Sequence, residues 1–113
     1  MKNYLDKFKL TNKKSIVLGG LGLLGLSITE ALLSADSNVL ILDIDRDKAK
    51  NIKKYFNSTK VNFKYFDSSK INTIENNTKK IIDLYLPDIF INCSYPATAD
   101  WYKSSAKENT LDI

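Results

Sequence analysis

Apolar and polar residues along the chain follow a pattern that predicts a strand and then a helix, three times over, and finally a fourth strand. Residues 15–18 are predicted to form a short buried strand, and residues 39–42 are an apolar run without polar alternation, which is typical of a parallel strand covered on both faces. Residues 61–66 alternate apolar with polar side chains, so we expect a third strand nearer the sheet edge. Residues 88–92 form the fourth predicted strand. We expect its apolar side chains to be buried: Ile89, Phe90 and Ile91.

Helical spacing of apolar residues predicts the segments between these strands. The first helix covers residues 23–34, and Asp45 is a suitable N-cap for a second helix that continues to Tyr55 or Phe56. The core face of the first helix is expected to hold Leu24, Ile28, Ala31, Leu32 and Ala35. The inner face of the second is expected to hold Ala49, Ile52 and Phe56, and residues 57–59 should end it.

A third helix is predicted between the third strand and Pro87, which stops it. Asp67, Ser68 and Ser69 are expected to end the strand and to cap this helix. The helix should bury a stripe made of Ile71, Ile74, Thr78, Ile81, Ile82 and Tyr85.

Strand–helix alternation of this kind produces an α/β fold, a parallel sheet with helices on both faces. Right-handed crossovers favour the strand order 3-2-1-4 of a partial doubly wound, Rossmann-type sheet. We expect one domain over the 113 residues. Ligands bind such sheets outside the carboxyl ends of the strands, here in the crevice above strands 1 and 4.

All four glycines lie between residues 19 and 25, in the sequence I-V-L-G-G-L-G-L-L-G. They follow the first strand and open the first helix, which is the context of a dinucleotide-binding motif. Gly19 lets the chain turn sharply, Gly22 removes a Cβ so that backbone can approach a pyrophosphate, and Gly25 lets the helix pack close to the strand. The pyrophosphate would meet unpaired N–H groups and the positive end of the helix dipole.

Asp43 ends the second strand, 18 residues after Gly25 and close to the roughly 20 expected for a ribose-binding acid. Its carboxylate would accept hydrogen bonds from the ribose hydroxyls and repel a 2′-phosphate, which favours NAD over NADP. Arg46 opposes this preference, since a nearby arginine can accept a 2′-phosphate. The alternative role for Asp43 is to cap the following helix.

Composition and charge exclude several classes of partner and binding site. The net charge of +4 comes from scattered lysines with no basic stripe, so neither nucleic acid nor a membrane is an expected partner. One cysteine and no histidine exclude disulfide frameworks and Cys/His zinc sites within the chain. The apolar run 16–28 is too short for a spanning helix. Because Glu30 interrupts it before a cleavage-like Ser34-Ala35, we expect a cytoplasmic protein and not a secreted one.

These residues together resemble the N-terminal, cofactor-binding half of a short-chain dehydrogenase/reductase. L-G-G-L-G-L-L-G is similar to that family's T-G-x-x-G-x-x-G, and residues 87–94 are similar to its D-x-L-V-N-N-A-G stretch. The lead-in over residues 8–17 also resembles the family's approach to its first strand. Tyr95-Pro96 and Asp100-Trp101 resemble a subgroup found with bacterial surface-sugar and flagellin-modification genes.

The resemblance implies hydride transfer between a nicotinamide and a carbonyl or alcohol, with a sugar as one candidate substrate. It implies NAD as the cofactor, with NADP less favoured. Asp67 would lie near the adenine, and Asn92 would brace the fourth strand beside the cofactor. The expected cofactor-binding residues are Gly19, Gly22, Leu23, Leu24, Gly25, Asp43, Ile44, Asp67, Ser68, Asn92, Cys93 and Ser94. No metal ligand is expected.

Several features depart from the family's pattern. Leu18 replaces its threonine, and Cys93-Ser94-Tyr95 replaces its N-A-G. The family's chemistry uses a tyrosine with a lysine four residues later, and none of the six tyrosines here has one. The residues found four positions after them are Phe8, Thr59, Ser69, Ile89, Ala99 and Ala106. We therefore expect no catalytic residue in this chain, and a chain truncated or split before the catalytic half.

Two alternatives to a truncated oxidoreductase stay open. One is a non-catalytic nucleotide-binding or regulatory module, and the other is a phosphate-loop or flavodoxin-like protein, against which the missing G-K-[S/T] argues. The fourth strand should leave an open sheet edge, so we expect self-association or a complementing chain, which sedimentation velocity can test.

Overall fold

The computed structural model describes residues 4–94 of the chain. A 3-10 helix at Tyr4–Phe8 precedes an alternation of strands and helices. The strands are β1 (Lys14–Leu18), β2 (Asn38–Asp43), β3 (Val61–Tyr65) and β4 (Ile89–Asn92). The helices are α1 (Leu23–Ser34), α2 (Arg46–Ala49), α3 (Ile52–Phe56) and α4 (Ile71–Tyr85).

The four strands form one parallel sheet in the order β3-β2-β1-β4, which confirms the predicted topology. Leu18 at the end of β1 lies opposite both Leu42 of β2 and Asn92 of β4. Asp43 lies opposite Tyr65 of β3. The carboxyl ends of all four strands therefore meet at one edge, where the loops that carry the candidate site begin.

Each face of the sheet has its own core. On one face, Val17, Val39, Ile41 and Val61 pack with residues of α1, α2 and α3. On the other face, β1 and β2 contribute Ile16, Leu40 and Leu42, which pack with Phe66 and with Ile81 of α4. Because consecutive residues of a strand point to opposite faces, the unbroken apolar runs of β1 and β2 supply both cores.

The buried stripe of α1 differs from the predicted one. Leu24 is 63% exposed and Ala31 is also exposed, whereas Gly25, Thr29 and Leu32 are buried. At its start, the helix places Gly25 against the preceding loop, where the backbones approach too closely for a Cβ. This choice rotates the inner face by one residue from the face that the leucines and isoleucines alone would indicate.

The helix predicted from Asp45 is broken into two short helices, α2 and α3. Its start is as predicted, since Asp45 accepts a hydrogen bond from the N–H of Lys48 at 2.9 Å. The break falls at Asn51, whose φ of −112° and ψ of 20° leave the helical region. Ala49 and Ile52 are buried on either side of the break. Asn57 ends α3 in the left-handed conformation, which agrees with the prediction that residues 57–59 end the helix.

The start of α4 also corrects the sequence prediction. The N-cap residue is Lys70, with no side-chain cap. Asp67 closes its own turn instead, accepting hydrogen bonds from the N–H of Ser69 at 3.0 Å and from its hydroxyl at 2.6 Å. Two residues of the predicted stripe, Ile71 and Ile82, are 81% and 45% exposed, because they flank the face that meets the sheet.

The burial predicted for β4 was wrong at Phe90, which is 58% exposed, and its two apolar neighbours are only partly buried. In the described part of the chain, β4 pairs with β1 alone and α4 is the helix that packs on this face. Phe90 consequently borders an apolar groove of about 220 Å³ between α4 and the sheet, together with Leu18 and Ile82. Association through this region stays a prediction.

None of the helices in residues 4–94 is long and apolar enough to cross a membrane.

Tyr85, at the end of α4, connects the helix to the amino ends of β1 and β2, at the opposite end of the strands from the candidate site. Its hydroxyl lies 3.2 Å from the carbonyl oxygen of Ser15 and 3.3 Å from that of Asn38, and donates toward both. Burial, and next the charge of Asp88, raise the pKa of Tyr85 from 10.0 to about 12.

This raised pKa predicts a loss of stability at high pH. Well below pH 10.0 the folded and unfolded chains both keep the Tyr85 proton. Between this pH and about 12 the unfolded chain releases the proton first, so the free energy of unfolding falls as the pH rises. Urea unfolding measured across this window should show a steeper fall for the wild type than for Tyr85→Phe.

The matched control is Tyr55→Phe, because Tyr55 is 68% exposed. Its stability should follow the wild-type pH dependence. Parallel curves for the wild type and Tyr85→Phe would contradict the assignment.

Candidate cofactor-binding site

The loop between β1 and α1 is shaped by Gly19. Gly19 has a φ of +73°, in the left-handed region that favours glycine. A Cβ there would lie 2.9 Å from the N of Ser94 and 3.0 Å from the carbonyl carbon of Cys93. The first glycine of the motif therefore serves both the turn and a close approach of the segment that follows β4.

Gly20 and Gly25 are also required by packing within the protein. A Cβ on Gly25 would lie 2.3 Å from the carbonyl oxygen of Gly19 and 2.6 Å from the Cα of Gly20. A Cβ on Gly20 would lie 2.7 Å from a methyl carbon of Ile41 in the core. The start of α1 is thus fixed against the loop, and the loop against β2.

Gly22 differs from the other three glycines, because its missing Cβ would have space. It is exposed, and the nearest atom to that Cβ is the Gly19 carbonyl oxygen at an ordinary 3.5 Å. Gly22 is also the N-cap of α1, with extended backbone and no capping side chain. The first-turn N–H groups of Leu23, Leu24 and Gly25 have no carbonyl partner within the helix. No acidic residue lies in this turn, so the helix dipole favours an anion here.

Asp43 lies at the carboxyl end of β2 and contacts this loop directly. One carboxylate oxygen accepts a hydrogen bond from the N–H of Leu21 at 3.0 Å. The other accepts from the N–H of Ile44 at 2.7 Å and, more weakly, from that of Asp45 at 3.4 Å. Asp45, and not Asp43, caps α2, so the alternative role considered for Asp43 belongs to its neighbour.

Arg46 follows this turn and is held against an aromatic ring. Its guanidinium carbon lies 4.0 Å from the centroid of the Tyr65 ring, a cation–π contact. Tyr65 is the strand neighbour of Asp43. The Arg46 guanidinium is therefore held on the ring of the residue that pairs with Asp43 in the sheet.

The end of β4 forms the other side of the crevice. The side-chain oxygen of Asn92 accepts hydrogen bonds from the N–H of Ser94 at 2.9 Å and from its hydroxyl at 2.7 Å. The N–H of Cys93 donates to the carbonyl oxygen of Leu18 at 2.8 Å. Cys93 is partly buried, and burial raises the pKa of its thiol. Asn92 thus braces the turn that contacts Gly19.

Asp67 and Ser68 lie beyond β3, on the far side of Asp43. Phe66 donates its N–H to the Asp43 carbonyl oxygen at 3.0 Å, which brings this turn to the same edge of the sheet. Hydrogen bonds from Ser69 lower the pKa of Asp67, although it retains solvent contact. Three large apolar side chains are exposed around the crevice: Leu23 at 89%, Leu24 at 63% and Ile44 at 60%.

Contacts between backbones and side chains therefore bring together the predicted residues of the loop after β1, the end of β2 and the end of β4. Leu21 was missed by the sequence analysis, although its side chain is buried and its N–H contacts Asp43. The signal was a single apolar residue between two glycines of the motif. Tyr95, Pro96, Asp100 and Trp101, on which the subgroup resemblance depends, lie outside the described residues.

The different surroundings of the glycines predict different costs for a methyl group. Gly25→Ala should lower the free energy of unfolding by about 2–3 kcal/mol, because its Cβ overlaps backbone atoms that cannot move independently. Gly22→Ala should change it by less than about 1 kcal/mol, mainly through the N-cap preference. Urea unfolding followed by circular dichroism measures both, and equal losses would contradict this division of roles.

No protein-family model and no curated protein matches the sequence. Solved structures do match. The crystal structure of gox2181 superposes with a TM-score of 0.71 at 22% identity, over 90% of this chain and 44% of that chain. A short-chain dehydrogenase from Leptospira borgpetersenii, solved with bound NAD+, gives 0.64 at 21% identity, over 92% and 42%. The 2-keto-3-deoxy-D-gluconate dehydrogenase of Streptococcus agalactiae gives 0.67 at 23%, over 96% and 43%.

The chain thus spans 42–44% of the length of these solved structures. At this level of identity the likeness concerns the fold, and it agrees with the strand order and with the site at the carboxyl ends of the strands. The resemblance stated from the sequence is confirmed at that level: this chain has the fold of the N-terminal part of a short-chain dehydrogenase.

Proposed function

We propose that this chain binds a nicotinamide dinucleotide, with the pyrophosphate on the first turn of α1. The observation that carries the proposal is the contrast among the glycines. Gly19, Gly20 and Gly25 are needed by contacts within the protein, whereas the Cβ position of Gly22 is open beside an uncapped helix N-terminus. An exposed glycine that packing does not require is explained by a ligand whose phosphates approach the backbone there.

The adenosine half of the dinucleotide would lie along the ends of β2 and β3. Asp43 offers its carboxylate to the ribose, and the exposed Ile44 offers an apolar surface to the adenine. Asp67 and Ser68 would border the adenine from the turn after β3. The nicotinamide half would lie toward β4, beside Asn92, Cys93 and Ser94.

The cofactor that we favour is NAD. The carboxylate of Asp43 would repel the 2′-phosphate of NADP, and no intramolecular cation neutralises it within the described residues. Arg46 is the residue that works against this preference, from its position on the Tyr65 ring.

For catalysis, the chain supplies only part of what hydride transfer needs. A general acid or base must give or take the substrate proton, and none of its six tyrosines has the lysine partner that the related chemistry uses. We therefore infer an oxidoreductase whose catalytic groups come from other polypeptide, either a continuation of this chain or a second one. The solved structures are more than twice as long as the matched part.

A direct assay follows from this inference. The pure 113-residue chain should not oxidise NADH with carbonyl substrates above the buffer rate. A polypeptide that carries a Tyr-x-x-x-Lys pair and completes the sheet should restore turnover if the chain is part of an enzyme. Turnover by the pure chain would contradict the inference, and binding without any restored turnover would favour the regulatory module.

Calorimetry with Gly22→Val tests the binding site. The variant should keep its fold, because the backbone at Gly22 is extended and the space is open, yet bind NAD+ at least about tenfold more weakly. Ala31→Val is the matched control, since it adds the same type of side chain to an exposed position of α1 away from the loop.

The preference assigned to Asp43 is tested with the wild type, which should bind NAD+ more tightly than NADP+ in the same calorimetric measurement.

The outcome that would overturn the proposal is unchanged NAD+ affinity in folded Gly22→Val. Equal affinity for the two cofactors would remove the preference assigned to Asp43 while leaving the phosphate site intact.

A further inference from the structure

The glycine loop is tied to β2 in two places. The N–H of Gly19 donates to the carbonyl oxygen of Leu42 at 2.8 Å. The N–H of Leu21 donates to the carboxylate of Asp43 at 3.0 Å. The hydrogen bond between Gly19 and Leu42 joins two main-chain groups, so it does not depend on the side chain at position 42. The hydrogen bond from Leu21 depends on the side chain of Asp43.

Leu21 is fixed from two sides. Its side chain is 3% exposed and belongs to the core on the α1 face of the sheet. Its N–H, on the main chain, meets Asp43. Because Leu21 lies between Gly20 and Gly22, whatever holds it also sets the direction of the loop that leads into α1. Glycines on both sides would otherwise leave this part of the backbone with much conformational freedom.

Asp43 is itself well anchored. Its main chain lies in the ladder with β3, where it is paired with Tyr65. Its carboxylate accepts from three backbone N–H groups, those of Leu21, Ile44 and Asp45. A carboxylate has about four acceptor positions on its two oxygens. Most of its capacity is therefore used inside the protein, which leaves about one position for a hydroxyl of a bound ribose.

We propose that Asp43 is a positioning residue for the phosphate loop, which it holds through the N–H of Leu21, as well as a contact for the ribose. This inference rests on the proposed dinucleotide site. It makes a distinct claim: Asp43 contributes to the binding of the phosphate groups, which it does not touch, by fixing the backbone that receives them.

The first measurement needs no ligand. Amide hydrogen exchange of the full chain, followed by NMR, reports the protection of the Leu21 N–H. Asp43→Ala removes the charged acceptor, so exchange at Leu21 should become at least about tenfold faster. Asp43→Asn keeps one acceptor oxygen and should give an intermediate rate. If Asp43→Ala does not fold, Asp43→Asn is used for every comparison.

The second measurement separates the loop from the ribose. ADP and 2′,3′-dideoxy-ADP carry the same phosphates, but the second lacks both ribose hydroxyls. If Asp43 positions the loop, Asp43→Ala should weaken both ligands by at least about fivefold, with a larger loss for ADP. If Asp43 acts through the ribose alone, the affinity for dideoxy-ADP should not fall.

Asp45→Ala is the matched control, because it removes the same charge from the same turn. Asp45 caps α2 through Lys48, and no hydrogen bond joins its side chain to the glycine loop within the described residues. This variant should leave Leu21 exchange and dideoxy-ADP affinity close to those of the wild type. An equal effect of both variants would overturn the proposal, since charge alone would then explain it.

Unchanged Leu21 exchange in Asp43→Ala, or unchanged dideoxy-ADP affinity, would also overturn the positioning role. Failure of the wild type to bind either nucleotide would instead overturn the proposed function. The exchange measurement distinguishes the two failures, because it reports the Leu21–Asp43 contact in the free protein.

Discussion

The backbone of α1 begins so close to the preceding loop that a Cβ on Gly25 would lie 2.3 Å from the carbonyl oxygen of Gly19. The rest of the site depends on this approach. It aims the first turn of α1 at the carboxyl ends of β1, β2 and β4. It also turns the inner face of the helix from Leu24 and Ile28 toward Gly25 and Thr29, while Leu32 stays buried as predicted. A helix with larger residues on that face would have to lie farther from the sheet.

The same approach accounts for the anion site that we propose in the crevice. Parallel strands place their carboxyl ends together, and the helix that follows β1 directs its unbonded N–H groups into the same space. Gly19 lets the segment after β4 close against the loop, and Asp43 holds the loop from the β2 side. Two neighbouring strands thereby restrain a short loop that is rich in glycine. A restrained backbone loses less conformational entropy when a ligand binds, which would favour the proposed binding of phosphates.

Much of this architecture could be predicted from the sequence. Buried parallel strands appear in it as unbroken apolar runs, and the spacing of the glycines indicates the turn between β1 and α1. The wrong predictions of burial share one physical cause: the burial of a side chain depends on which part of the protein lies opposite it, and a local sequence pattern does not record this. Phe90 is exposed because too little of the described chain covers β4, and Leu24 is exposed because glycine packs closer. The Leu21–Asp43 hydrogen bond joins a main-chain group to a side chain 22 positions away, a contact that no local pattern records.

An NMR titration of the 15N-labelled full chain with ADP tests the proposed phosphate site directly. The largest amide shifts should occur at Leu23, Leu24 and Gly25, with smaller shifts at Ile44 and around Asp67, because the pyrophosphate would bind the first turn of α1. Shifts confined to other surfaces, or no shifts at millimolar ADP, would contradict the assignment of this loop as a phosphate site.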